Sequence, residues 1–167
     1  LTGGGNSIGD TIALTVTFNT VVNGLTGGTN SGIFQVNSSN ASATWSGTNG
    51  TNTRVLTYTV SESDTGAATI VESALKTALI AGITSESGVV FEHSGAISNI
   101  DSSALPTIDG VKPTVAGSSD KADGSYKAGE TINVTLTFSE AVTLSGGNLT
   151  ITLNTGATLT VAPSDLD

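Results

Sequence analysis

The stretch Thr11-Ile12-Ala13-Leu14-Thr15-Val16-Thr17-Phe18 puts Ile12, Leu14, Val16 and Phe18 on one side and Thr11, Ala13, Thr15 and Thr17 on the other. That period-2 alternation is the mark of a strand with one buried face. The same pattern returns as Thr131-Ile132-Asn133-Val134-Thr135-Leu136-Thr137-Phe138. Extended on both sides, Ser7 to Val22 aligns with Lys127 to Val142 at an offset of 129 − 9 = 120, with Gly9, Thr11, Ile12, Thr15, Thr17, Phe18 and Val22 identical. Matches this ordered mark an internal repeat of about 115 to 120 residues. The reading is a nearly complete first repeat over 1–108, a linker over 109–116 and the N-terminal part of a second repeat over 117–167. Pro106 and Pro113 flank Asp109-Gly110 at this junction, and prolines favour a stiff, extended backbone.

Further strands are expected at Ile33–Val36, Ala43–Trp45, Val55–Val60 and Val89–Glu92, between Asn/Gly/Ser/Thr clusters suited to turns. Short strands at even spacing predict an all-β sandwich. One segment departs from this. Thr69–Ala81 places Val71, Leu75 and Ala78/Leu79 on one helical face and Glu72 four residues before Lys76, which predicts a short helix crossing over one open end or edge of the sandwich.

Composition narrows the function. Fourteen acidic residues against five basic ones leave a net charge of −9 over 167 residues, which repels phosphate backbones and argues against nucleic-acid binding. No apolar run reaches the length needed to enter a bilayer as a helix. Cys is absent, so disulfides and thiolate metal sites are excluded. Met is absent too, and with Leu at position 1 the chain reads as a processed product or a piece of a longer polypeptide.

Gly129 to Val142 followed by Asn148-Leu149-Thr150-Ile151-Thr152-Leu153-Asn154 resembles the tandem Ig-like repeats of large bacterial surface proteins, giant adhesins and surface-layer proteins among them. Leu56–Val60 followed by Asp64, and the linker from Asp109 to Val115, resemble that family as well. The resemblance implies Ig-like β-sandwiches in tandem at the cell surface, serving as a spacer or lattice element with neighbouring repeats of the same polypeptide as partners. The first repeat departs from the pattern by its helical insert and by Asn19-Thr20 in place of Ser139-Glu140. The truncated second repeat is expected to fold only with downstream chain or with strands donated by a neighbouring molecule.

Catalytic signals are sparse. Gly5-Asn6-Ser7-Ile8-Gly9 satisfies G-x-S-x-G, but a nucleophile elbow needs a strand before the Ser and a helix after it, and here a strand follows. His93 is the only available imidazole base, and it reads as a solvated surface residue. Trp45 could stack on a sugar, yet a core position suits it better. No base and no cleft stand out, so the chain is read as non-catalytic. The alternative is a module whose loops Asn23–Gly32 and Ser46–Thr53 bind a glycan or a host protein. Asn-x-Ser/Thr triplets at Asn37, Asn40, Asn49, Asn133 and Asn148 are candidate glycan acceptors on an exported protein.

The acids are the remaining chemistry. Asp120-Lys121-Ala122-Asp123-Gly124 lacks the spacing of a calcium loop and reads as a turn. Sandwich topology, in contrast, brings Asp10 and the Ser61–Asp64 turn to the end of repeat one that faces the linker, with Glu140 of repeat two facing back and Asp109 between. Four such carboxylates repel one another unless a cation is present. Calcium, which takes six to eight oxygens and needs neither His nor Cys, is the expected ligand of Asp109 and Glu140, with Asp10 and Asp64 as secondary donors.

Overall fold

A computed structural model describes residues 7–92 and 105–165. The chain divides into two compact units, Leu1–Lys112 and Pro113–Asp167. Both are built of strands, and the described residues include one α-helix, so the protein is all-β. No described helix is long and apolar enough to cross a membrane.

In the first unit the strands are β1 (Thr11–Asn23), β2 (Thr29–Val36), β3 (Ser39–Ser46), β4 (Thr51–Thr59), β5 (Thr65–Ile70), β6 (Thr84–Ser85) and β7 (Thr107–Asp109), with α1 (Glu72–Gly82) between β5 and β6. They hydrogen-bond in the order β6-β1-β4-β3-β2-β5-β7 as one continuous antiparallel sheet, whereas two facing sheets were expected. Two irregularities curl it. Thr17 pairs with Thr53 and Val22 with Thr51, so four residues of β1 stand opposite one of β4. Likewise Ser31 pairs with Ser42 and Phe34 with Ala41, leaving Gly32 and Ile33 extra on β2. Extra residues on one strand bend it and raise its twist, so a single sheet folds over its own apolar face.

Alternation then fills the interior. Ile12, Leu14 and Phe18 of β1, Ala43 and Trp45 of β3, and Leu56 and Tyr58 of β4 are buried, joined by Ile33, Phe34 and Val36 of β2 and by Leu75 and Leu79 of α1. Phe34 stacks on Tyr58 with ring centroids 5.8 Å apart, and Phe18 meets Phe91 edge-on at 5.6 Å.

Three features differ from the periodicity-based reading. The helix starts at Glu72, because Thr69 and Ile70 pair with Gln35 and Phe34 as the end of β5. Only Ala68 of β5 is buried, too weak an apolar signal to mark a strand. The strand expected at Val89–Glu92 reduces to one bridge, Thr84 to Val90, since the chain turns tightly at Ser85–Gly88 and leaves Val89 and Val90 exposed.

The second unit consists of two hairpins, β8 (Val115–Ser119) with β9 (Val134–Phe138) and β10 (Leu149–Thr152) with β11 (Thr158–Val161). Asp120 closes the first, its carboxylate accepting from the Asn133 backbone N–H at 2.9 Å and from its side-chain amide at 2.7 Å. β9 is the 120-residue copy of β1, but its apolar residues lack cover. None of the described residues in this unit is buried, and Ile132, Val134, Val142 and Leu159 are exposed.

Candidate functional site

Strand pairing brings three of the four candidate acids to one end of the first unit. Asp10 closes a turn with Ser7: the Ser7 N–H donates to its Oδ2 at 3.0 Å, and the Asp10 N–H donates to the Ser7 carbonyl at 3.0 Å. That turn is tied to Val60, just beyond β4, by Gly9 N–H to Val60 O and Val60 N–H to Asp10 O, each 2.9 Å. Asp64 closes the next turn, its Oδ2 accepting from the Ser61 N–H at 2.9 Å and from the Tyr58 hydroxyl at 2.7 Å. Asp109, placed in the linker by the sequence, is the last residue of β7, opposite Thr65. Behind it Gly110 donates to the Asp64 carbonyl at 2.6 Å and accepts from the Ser63 N–H at 2.8 Å. A Cβ at Gly110 would fall on the carbonyl oxygens of Ser61 and Asp64, so only glycine permits this approach.

The backbones meet, and Asp10 and Asp64 each turn one carboxylate oxygen, Oδ2, toward local donors. Glu140 lies in the second unit, just beyond β9, where its Oε1 is buried without a hydrogen-bond partner. Among the described residues no group of three or more His, Cys, Asp or Glu side chains is placed to hold a metal ion. Asp10 and Asp64 act in the first unit as turn closures.

Tyr58 links this end to the core. Burial first, and then the hydrogen bond and charge of Asp64, push its hydroxyl well above the ordinary 10.0, while the Ser61 backbone contact pulls it part-way back. A raised native value means that the folded protein holds this proton more tightly than the unfolded chain. The resulting stability is complete below pH 10 and is lost as pH rises through the native value. Denaturation curves for wild type should thus weaken with rising pH above about 10, and Tyr58→Phe, which keeps the ring against Phe34, should weaken less. Parallel curves for the two proteins would contradict the assignment.

The opposite end carries the loops named as an alternative binding surface, and its centre is Arg54. This side chain is fully buried, and its hydrogen bonds go to oxygens of Gly24 and of the adjoining ends of β1 and β4. Nε donates to the Gly24 carbonyl, Nη2 to the Val22 carbonyl at 2.7 Å, and Nη1 to the Thr53 carbonyl at 2.6 Å and the Thr51 hydroxyl at 3.1 Å. Burial lowers its pKa from the usual guanidinium value. Two asparagines reinforce the arrangement: the Gly24 N–H donates to Asn49 Oδ1 at 2.9 Å, and the Gly50 N–H to Asn23 Oδ1 at 3.1 Å. The β1–β2 and β3–β4 loops are thereby pinned to each other.

Sequence reasoning passed over Arg54 because the expected strand began at Val55. Its parity with Leu56, Tyr58 and Val60, all inward, was the available signal. Trp45 is a core residue, its indole N–H donating to Asn30 Oδ1. Ser7 precedes a strand, as expected, while Gly5, Asn6 and His93 lie outside the described residues. No protein-family model, curated protein or solved structure matches this chain.

Proposed function

We propose that the chain is a non-catalytic structural repeat module of an extracellular surface protein, an Ig-like unit followed by part of a second. The observation that carries this reading is the strand order of the first unit. Constant-type immunoglobulin sandwiches arrange their strands as A-B-E-D and C-F-G. With β1 as B, β2 as C, β3 as D, β4 as E, β5 as F and β7 as G, the rows β1-β4-β3 and β2-β5-β7 both follow that order, joined through the β2–β3 pair. Recurrence of the β1 sequence in β9 supports tandem use of the unit. The exposed apolar side chains of the second unit favour completion by a neighbouring repeat or by strands from another molecule, since an isolated two-stranded ribbon is marginal in water.

Calcium belongs to this reading as a proposal drawn from the sequence, with the unpartnered Glu140 Oε1 as its one structural support. A binding role for the pinned loops is the second reading, favoured by the preorganisation that Arg54 and the two asparagines impose. The test is on intact cells that make the parent protein. Antibody raised to residues 7–92 should label them without permeabilisation, and external protease should remove the signal. Labelling that requires permeabilised cells would sink the surface assignment. Retention of the chain on a glycan array, abolished by substitutions in Asn23–Gly32, would favour binding over spacing.

A further inference from the structure

The two pinned loops hold the only Asn-Gly dipeptides of the sequence, Asn23-Gly24 and Asn49-Gly50. Asn-Gly is the dipeptide most prone to spontaneous deamidation, because glycine leaves its own backbone nitrogen sterically free to attack the preceding side chain. Base removes the glycine N–H proton, the nitrogen bonds to the asparagine Cγ, and the Cγ–Nδ2 bond breaks with release of ammonia. Water then opens the succinimide at either carbonyl to give aspartate or isoaspartate. Both steps need freedom in the folded protein: an N–H open to base, and a side chain able to turn back on its own backbone.

Here each dipeptide denies both to the other. The Gly24 N–H is held by Asn49 Oδ1, across 25 residues of sequence, and the Gly50 N–H is held by Asn23 Oδ1, across 27, and also by the Val22 carbonyl at 3.1 Å. Each asparagine thus aims its carboxamide at the other dipeptide's glycine instead of its own. Beneath them Arg54 binds the carbonyls of Val22 and Gly24 and fixes the backbone on the β1 side. Gly24 has φ of +92°, and a Cβ there would overlap the Gly82 carbonyl oxygen. Glycine is therefore structurally required at one of the two reactive positions, and the liability cannot be removed by replacing it.

We propose that Asn23 and Asn49 form a reciprocal clasp that holds both dipeptides unreactive while this end of the unit is folded, and that they are modification sites which deamidate once it opens. The chemistry needs only water and base, and the inference does not depend on the functional reading above. It predicts an irreversible record of unfolding: isoaspartate lengthens the main chain by one methylene at Asn23 or Asn49, and the clasp cannot close again in its original register.

The test is peptide mapping by mass spectrometry of the full 167-residue chain held at mildly alkaline pH, native and in denaturant, with near-ultraviolet circular dichroism to show that the native samples stay folded. Both asparagines should persist in the native protein and convert in denaturant. In folded Asn49→Ala, whose Gly24 N–H has lost its acceptor, Asn23 should convert roughly two- to tenfold faster than in wild type, the range that one hydrogen bond's net contribution to stability converts to. Asn49→Asp keeps an oxygen at the acceptor position and should restore protection of Asn23. This pair of variants separates the clasp from general loosening of the loop. Equal conversion of native and denatured wild type would overturn the proposal, as would unchanged Asn23 in folded Asn49→Ala.

Discussion

Replacing Arg54 by Met should destabilise the first unit by about 3 to 5 kcal/mol. The methionine fills much of the volume but satisfies none of the oxygens that the guanidinium now serves. Acceptors on Gly24, Thr51 and Thr53 lose the guanidinium donors where no solvent reaches the side chain, while the Val22 carbonyl keeps only the Gly50 N–H. Each orphaned buried group costs about 1 to 3 kcal/mol, with partial relief as the loops relax toward water. No ion pair of Arg54 is present among the described residues, so the loss should change little with salt, unlike that of a surface pair. Arg54→Lys should recover only part of the stability, because an ammonium cannot reproduce the planar fork that reaches the end of β1, Gly24 and the start of β4. Urea unfolding followed by Trp45 fluorescence measures this directly. A midpoint for Arg54→Met equal to that of wild type would show that the guanidinium is not what holds the loops.

Trp45→Ala should cost a similar amount, about 3 to 5 kcal/mol. Trp45 stands opposite Leu56 in the β3–β4 register and is buried in the centre of the curled sheet. Truncation opens a cavity that the surrounding strands, tied by their ladders, cannot collapse into. It also leaves Asn30 Oδ1 without the indole N–H. The control is the adjacent residue, Thr44, which faces outward and is exposed; Thr44→Ala should change stability by less than about 0.5 kcal/mol. Far-ultraviolet circular dichroism in a denaturant series separates the two, and equal shifts would mean that β3 does not present alternate residues to a core. Against a total stability of about 5 to 15 kcal/mol for a domain of this size, either large loss brings the unit close to unfolding at physiological temperature.

The particular residues show how far the sequence could be read. Ile12, Leu14 and Phe18 were legible as an inward row because strand periodicity is a local property: neighbours two apart share a face whatever the strand later pairs with. The helix was legible from Leu75 and Leu79 for the same reason. β5 was not, since Thr65-Gly66-Ala67-Ala68-Thr69-Ile70 carries almost no apolar contrast and is made a strand by its partners, β2 and β7. Backbone convergence of Asp10, Asp64 and Asp109 follows from strand order, but their chemistry does not. Which N–H and O–H groups stand within 3 Å of a carboxylate is not written in its spacing: Asp10 Oδ2 meets the Ser7 N–H, and Asp64 Oδ2 meets the Ser61 N–H and the Tyr58 hydroxyl.

The sequence by itself determined the all-β class, the inward faces of the main strands and the helix over Glu72–Gly82, because each is written in spacing along the chain. Tertiary structure alone decided that the strands of the first unit form one curled sheet, that Arg54 lies inside it, and that Asn23 and Asn49 exchange partners. The Asn23–Asn49 exchange and the contacts of Arg54 with Val22 and Gly24 join residues 25 or more apart, and the curl depends on where extra residues on β1 and β2 bend the ladder. A bend of that kind arises from the register between two strands, and neither strand's own pattern contains it.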